Sequence, residues 1–307
     1  MKSNLGSFRQ WTIGMCVLMP WMLLAHTSRQ PALGLFRVVA CHGGAVEARV
    51  PDNSMASLQN AIKWLCYATT CDICLTADGH VLVAAMDEEG CVNGLRPWEH
   101  PRQKILDAGK LDNGEQIPLL ETYLDSVMVP HSATRLWLVL TSPPGQPEKA
   151  LATCRRALEI VQEKGAEQYV ELIAQVPLSV LRSCKELADK VGVAVAWTAC
   201  EKPETYRSLQ LPWACLPASE GQKYPSGIVE AFQEKGIQLS IGIIDRKTLG
   251  GESTSDFDTM LYYVNAYPGL KTLTTHYPSW LTLVLQKAGV DTEIPLKKPE
   301  ISASTTP

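Results

Sequence analysis

The 307 residues contain no glycine-rich phosphate loop of the form GxGxxG or GxxxxGK[ST], so neither a dinucleotide fold nor a P-loop fold is indicated. Positive charge is not in excess either: 28 Lys and Arg stand against 32 Asp and Glu, a formal net charge of −4. That balance argues against nucleic-acid binding. No basic run is present that would hold the chain on an anionic membrane, so no strong membrane-surface patch is expected. The longest apolar run, Trp11 to Ala25, falls short of the ~20 residues of a spanning helix and is broken by Pro20. With Lys2 and Arg9 before it, the run reads as an export signal over residues 1–27, with a membrane anchor as the weaker alternative. The expected location is therefore exported: periplasmic, cell-surface or secreted. A lipidated Cys16 lacks the small residue usually found just before such a cysteine. The ten cysteines are spread along a chain large enough to build its own core and are read as buried thiols. The one C-x-x-C, Cys71 and Cys74, lies in CDICL, a strand pattern rather than a redox turn, and no zinc-finger spacing accompanies it.

What is present is alternation. Short apolar runs (FRVVAC, CDICL, HVLVAA, RLWLVL, YVELIA, VAVAW, PWACL, IQLSIGII and LKTLTT) are separated by amphipathic stretches. These stretches predict helices over 54–66, 118–129, 147–164, 177–190, 225–235, 256–265 and 278–288, several opening on Pro, Ser or Asp. Strands apolar on both faces and separated by helices imply a parallel sheet covered by helices. About eight such units in roughly 270 residues favour a closed (β/α)8 TIM barrel over 34–290, with a Pro, Ser and Thr-rich tail over 291–307 expected to be disordered. In such a barrel the functional residues stand at the C-terminal ends of the strands. By position those are His42, Asp72, the loop Asp87-Glu88-Glu89 and His276.

The residues His42-Gly43-Gly44, then PDNSMASLQNAI, DICLTADGHVLV, KILDAGKLDNGEQIPLLETYL and the closing TTHYP resemble the glycerophosphodiester phosphodiesterases, in particular their secreted bacterial branch. The order and spacing hold from about Arg37 to Trp280. The resemblance implies a phosphodiester hydrolase of glycerophospholipid head-group metabolism. Two histidines would supply acid/base chemistry and carboxylates would hold a divalent cation, Mg2+ or Ca2+.

Matched by position, His42 and Asn53 remain and Asp52 is a shortened stand-in for a glutamate. The arginine that helps bind phosphate is Gly43. Thr70-Cys71-Asp72 replaces E-x-D, leaving one metal carboxylate, Asp72; the second histidine falls on Ala85; Val139 and Thr141 replace an acid and a lysine; and Gly242 stands where a tryptophan often lines the pocket. Each such loss typically costs ~10²–10⁴ in rate. The first expectation is therefore a phosphodiesterase-family barrel that no longer hydrolyses, holds no cofactor, and binds a small phosphodiester-like ligand or an unknown protein. In it His42 and Asp72 are remnants, while Asp52, Asn53, Trp197 and His276 are candidates for ligand contact. The alternative is an active hydrolase, rebuilt around His42, Asp72 and the Asp87–Glu89 loop, with Asp87 as a replacement metal ligand. Each residue also has a structural reading: His42 and His276 as polar fillers, Asp72 bonded to backbone or solvent, Asp52 and Asn53 as helix caps, Trp197 as packing, and the acidic loop as solvated surface. Thr76-Ala77-Asp78-Gly79 reads as a turn.

Overall fold

A computed structural model of the chain describes residues 35–130, 132–199, 202–218, 223–242 and 262–293. Nine strands carry the architecture: β1 (Arg37–Ala40), β2 (Ala68–Leu75), β3 (Val81–Val83), β4 (Arg135–Thr141), β5 (Val170–Gln175), β6 (Ala194–Trp197), β7 (Trp213–Pro217), β8 (Gln238–Gly242) and β9 (Thr272–Thr275). Eight of them are parallel and ring-closed, because β1 pairs with β2 on one side and with β9 on the other. The expected (β/α)8 barrel is what forms.

β3 is the exception. It runs antiparallel to the outer half of β2, with Ile73 opposite Val83, and lies outside the ring. The turn that joins them is Thr76–Gly79: the Gly79 N–H donates to the Thr76 carbonyl at 3.1 Å, and Gly79 has φ +83°. HVLVAA is thus a hairpin arm rather than a barrel stave, a distinction that an apolar run cannot signal.

The helices Met55–Lys63, Leu120–Val127, Pro147–Lys164, Leu178–Val191, Ile228–Gln233 and Pro278–Lys287 match predicted ones. Arg102–Ala108 and Pro203–Ser208 are helical as well, although too short to have carried a clear period. The helix expected over 256–265 falls largely on residues outside those described, as does the whole 1–27 segment. Asp291–Glu293, grouped with the tail by composition, pair with Phe36: its N–H donates to Asp291 and its carbonyl accepts from Glu293.

Inside the ring, Val39, Trp137, Val139, Ile173, Ala196, Trp213 and Cys215 form a packed apolar plug, with Trp137 and Trp213 edge-to-face at 5.8 Å. At its N-terminal end a polar layer closes the barrel. Arg135 donates to the Tyr67 hydroxyl at 2.9 Å and to buried Glu171 at 3.2 Å, while the Arg37 guanidinium stacks 4.5 Å from the Tyr67 ring centre. Burial pushes the Glu171 carboxyl upward, and the two arginines and Tyr67 offset part of that cost. The bottom is sealed by ion pairs and the middle by aromatics, so only the C-terminal end is left open for a site. All eight described cysteines are free thiols, and seven of them are buried.

Truncating the plug should be costly. Trp137→Ala is expected to lower unfolding stability by about 3–5 kcal/mol in a denaturant titration. A shift below about 1 kcal/mol would mean that the interior is not close-packed.

Candidate functional site at the barrel mouth

A cavity of about 400 Å³ opens at the C-terminal end, and its wall brings together His42, Asp52, Asp72, Met86, Asp87, Glu88 and Val139. The residues after β1 define it. His42, Gly43 and Gly44 are three consecutive left-handed residues, with φ of 43°, 76° and 70°. A left-handed histidine costs roughly 1–3 kcal/mol unless its surroundings impose it. Here they do. The His42 N–H donates to the Thr70 hydroxyl at 2.9 Å and the Gly43 N–H to the Thr69 hydroxyl at 2.8 Å. Asn60 holds the Gly43 carbonyl from the other side at 2.9 Å. Thr70 and Thr69 therefore fasten the turn.

The turn leaves no space at Gly43. A Cβ there would lie 2.1 Å from the Ser57 carbonyl oxygen, so on this backbone an arginine is excluded for steric reasons. Gly242 is similarly confined, since its Cβ would lie 2.4 Å from the Thr274 carbonyl oxygen. The backbone leaves no room for a side chain at either position.

The imidazole of His42 is buried between two carboxylates. Nε2 lies 3.0 Å from Asp72 and Nδ1 lies 3.6 Å from Asp52. Neither ring nitrogen makes an aligned hydrogen bond, so the association is a charge contact. Burial is the largest influence and works against charge on the ring. The Cys41 thiol, itself pushed up to about 12 by burial, is neutral at physiological pH and cannot help. Asp72 and Asp52 favour the charged ring and shift the His42 imidazole upward. An imidazolium, which has no free lone pair, is a poor general base.

Asn53 fixes Asp72. Its Nδ2 donates to the Asp72 carboxylate at 2.9 Å and its Oδ1 accepts the Asp72 N–H at 3.0 Å, from a left-handed conformation of φ +58°. Asn53 is thus a positioning residue rather than a helix cap. The cap is Ser54, whose hydroxyl accepts from the Ser57 N–H at 3.0 Å, and Glu115 takes the next two free N–H groups, those of Met55 and Ala56, at 2.8 and 3.3 Å. Sequence reasoning gave the cap to Asp52 and Asn53 because three cap-forming residue types stand in a row. The last of them takes the role, which freed the other two to face His42 and Asp72.

The remaining candidates divide. Asp87 and Glu88 do line the same cavity as His42. Asp87, however, spends its Oδ1 on its own loop, accepting from the Glu89 N–H at 2.9 Å and the Cys91 N–H at 2.8 Å. His276 follows β9, is buried, and its ring centre lies 6.2 Å from that of His42. It is not part of the cavity wall. Trp197 does not line the mouth either: its indole N–H donates to the Val176 carbonyl at 3.1 Å and its ring packs on Tyr206 at 5.7 Å. The end of a strand is a pocket-facing position only when the side chain points inward, and Trp197 points into the helical layer. The functional contributors missed from sequence are Thr69, Thr70 and Glu115. Their signal, a hydroxyl pair at an E-x-D position, has meaning only once the turn is seen.

A hard divalent cation requires several oxygen ligands converging on one point. Among the described residues no three His, Cys, Asp or Glu side chains are so grouped. Asp72 is committed to His42 and Asn53, Asp87 to its loop, and positions 70 and 139 offer a hydroxyl and an isopropyl group. The described residues do not fit Mg2+ or Ca2+.

No protein-family model matches the chain, and no curated protein matches it in sequence. Solved structures do match. A glycerophosphodiester phosphodiesterase from Parabacteroides distasonis superposes with a TM-score of 0.67 at 21% identity, covering 83% of this chain and 100% of that one. The fold is that of the glycerophosphodiester phosphodiesterases. An Oleispira antarctica phosphodiesterase, solved in complex with its product sn-glycerol-3-phosphate, has a TM-score of 0.63 at 18% identity and covers 82% of this chain and 97% of that one. The Thermotoga maritima glycerophosphodiester phosphodiesterase has a TM-score of 0.56 at 14% identity, covering 81% of this chain and 98% of that one. The phosphodiesterase barrel is therefore present nearly in full.

Two outcomes follow. Gly43→Ala should lower stability by about 2 kcal/mol or more, read as a fall in the urea midpoint, because a Cβ strikes backbone rather than a flexible side chain; an unchanged midpoint would mean that the turn is not held as described. Because the His42 pKa is raised in the folded state, its stabilising contribution is complete below the unfolded value of about 6.5 and is lost as pH rises through the folded value. Urea midpoints should therefore decline on the alkaline side of neutrality in the parent and decline less in His42→Gln; parallel profiles would contradict the ion-pair geometry.

Proposed function

We propose that this chain is a member of the glycerophosphodiester phosphodiesterase family in which hydrolysis has been lost, an exported barrel that holds a small ligand or a partner protein at its mouth. The observation that carries the reading is the His42 turn, which combines a charge-locked imidazole with a Gly43 that cannot become arginine. The charge of the cavity supports it. Four carboxylates, those of Asp52, Asp72, Asp87 and Glu88, line the wall, and among the described lining residues His42 is the one basic group. Along the described wall a phosphodiester anion would meet net negative charge. A ligand without net negative charge fits that wall better. Export is supported by Lys2, Arg9 and the apolar run after them.

The second reading, a rebuilt hydrolase, has one observation in its favour: Asp87 and Glu88 share the cavity with His42. The same assay separates the two. Purified protein incubated with glycerophosphodiesters and Mg2+, Ca2+, Mn2+ or Zn2+ is expected to release no glycerol phosphate above the blank. Turnover that disappears in His42→Ala and in Asp87→Asn would establish the rebuilt site instead.

A further inference from the structure

Away from the mouth, the C-terminal end of the helix Met55–Lys63 and the helix Pro278–Lys287 flank a groove of about 200 Å³ lined by Trp64, Leu65, Leu283, Gln286 and Lys63. Its apolar groups face solvent: Leu65 is 45% and Leu283 46% exposed, and Trp280, one turn from Leu283 on the same helix, is 57% exposed. Large apolar side chains gathered in this way mark a contact surface. Leu65 makes the point sharper, because it stands just past the helix end with φ +51°. A leucine in that conformation costs roughly 1–2 kcal/mol, where glycine would cost nothing. Neither burial nor backbone geometry accounts for it; a covering apolar medium would.

We propose that this flank is a peripheral lipid-contact surface that lies on a bilayer containing anionic headgroups. The composition is that of a membrane interface, with tryptophan and leucine flanked by Lys63 and Lys287, whose alkyl stems can lie along apolar surface while the ammonium reaches headgroups. The groove's one acid, Glu293, is neutralised by Arg37 at 2.6 Å. Phe36 bridges to Thr292 at the groove's edge. Among the described residues no helix is long and apolar enough to cross a membrane, so the contact is peripheral. The groove is assembled from segments more than 200 positions apart, so no linear run announces it. The inference is independent of whether the mouth hydrolyses anything.

Flotation of the full chain with vesicles of phosphatidylcholine and phosphatidylglycerol, against phosphatidylcholine alone, tests it. The triple variant Trp64→Ser, Leu65→Gly, Leu283→Ser is expected to partition about tenfold or more weakly than the parent. Leu65→Gly alone should bind more weakly while its melting temperature holds or rises, which separates lipid contact from damage to the fold. A parent preference for the anionic vesicles that fades with added salt is expected. Flotation of the triple variant equal to the parent, with binding lost only when Leu18→Asp and Leu23→Asp interrupt the N-terminal run, overturns the proposal. So does a parent dimer that the triple variant dissociates without any change in flotation.

Discussion

The mouth of this barrel is organised by one constraint: a left-handed turn at His42-Gly43, stitched to β2 by two threonine hydroxyls. Once the backbone N–H groups of His42 and Gly43 are spent on Thr70 and Thr69, the turn is drawn against the helix that follows it, and Gly43 meets the Ser57 carbonyl. The same turn aims the imidazole between Asp52 and Asp72. In a buried setting such an arrangement is self-consistent, because an unpaired imidazolium or an unpaired carboxylate would each be costly there.

The scaffold beneath does not depend on that chemistry. The Trp137 and Trp213 plug and the Arg135, Glu171 and Tyr67 layer hold the ring from inside and below. Barrels usually divide their labour in this way, with stability at one end and chemistry at the loops of the other. Val139 joins the two regions: it belongs to the apolar plug and also lines the cavity.

Most of the architecture was legible in the sequence, because parallel strands buried on both faces write themselves as unbroken apolar runs between amphipathic helices. FRVVAC, RLWLVL and YVELIA carry that signature, and HVLVAA carries it equally although it forms a hairpin arm, since apolar runs report burial and not direction. The members of the site were legible in part. His42, Asp52, Asp72 and Asp87 do share one cavity, whereas Trp197 belongs to the helical layer and Asn53 acts by holding Asp72. Illegible were the relations that need three dimensions: two threonines as latches, Glu115 reaching a helix start some sixty residues earlier, and the space denied at Gly43 and Gly242.

The central claim is that His42 is an imidazolium held by Asp52 and Asp72 rather than an imidazole free to exchange protons. Nitrogen NMR of ring-labelled histidine in the intact protein reads this directly. Both ring nitrogens of His42 are predicted to remain protonated through neutral pH and well above it, and to move toward ordinary titration in Asp52→Asn. A parent His42 that titrates near 6.5, the value of a solvent-exposed histidine, would contradict the account.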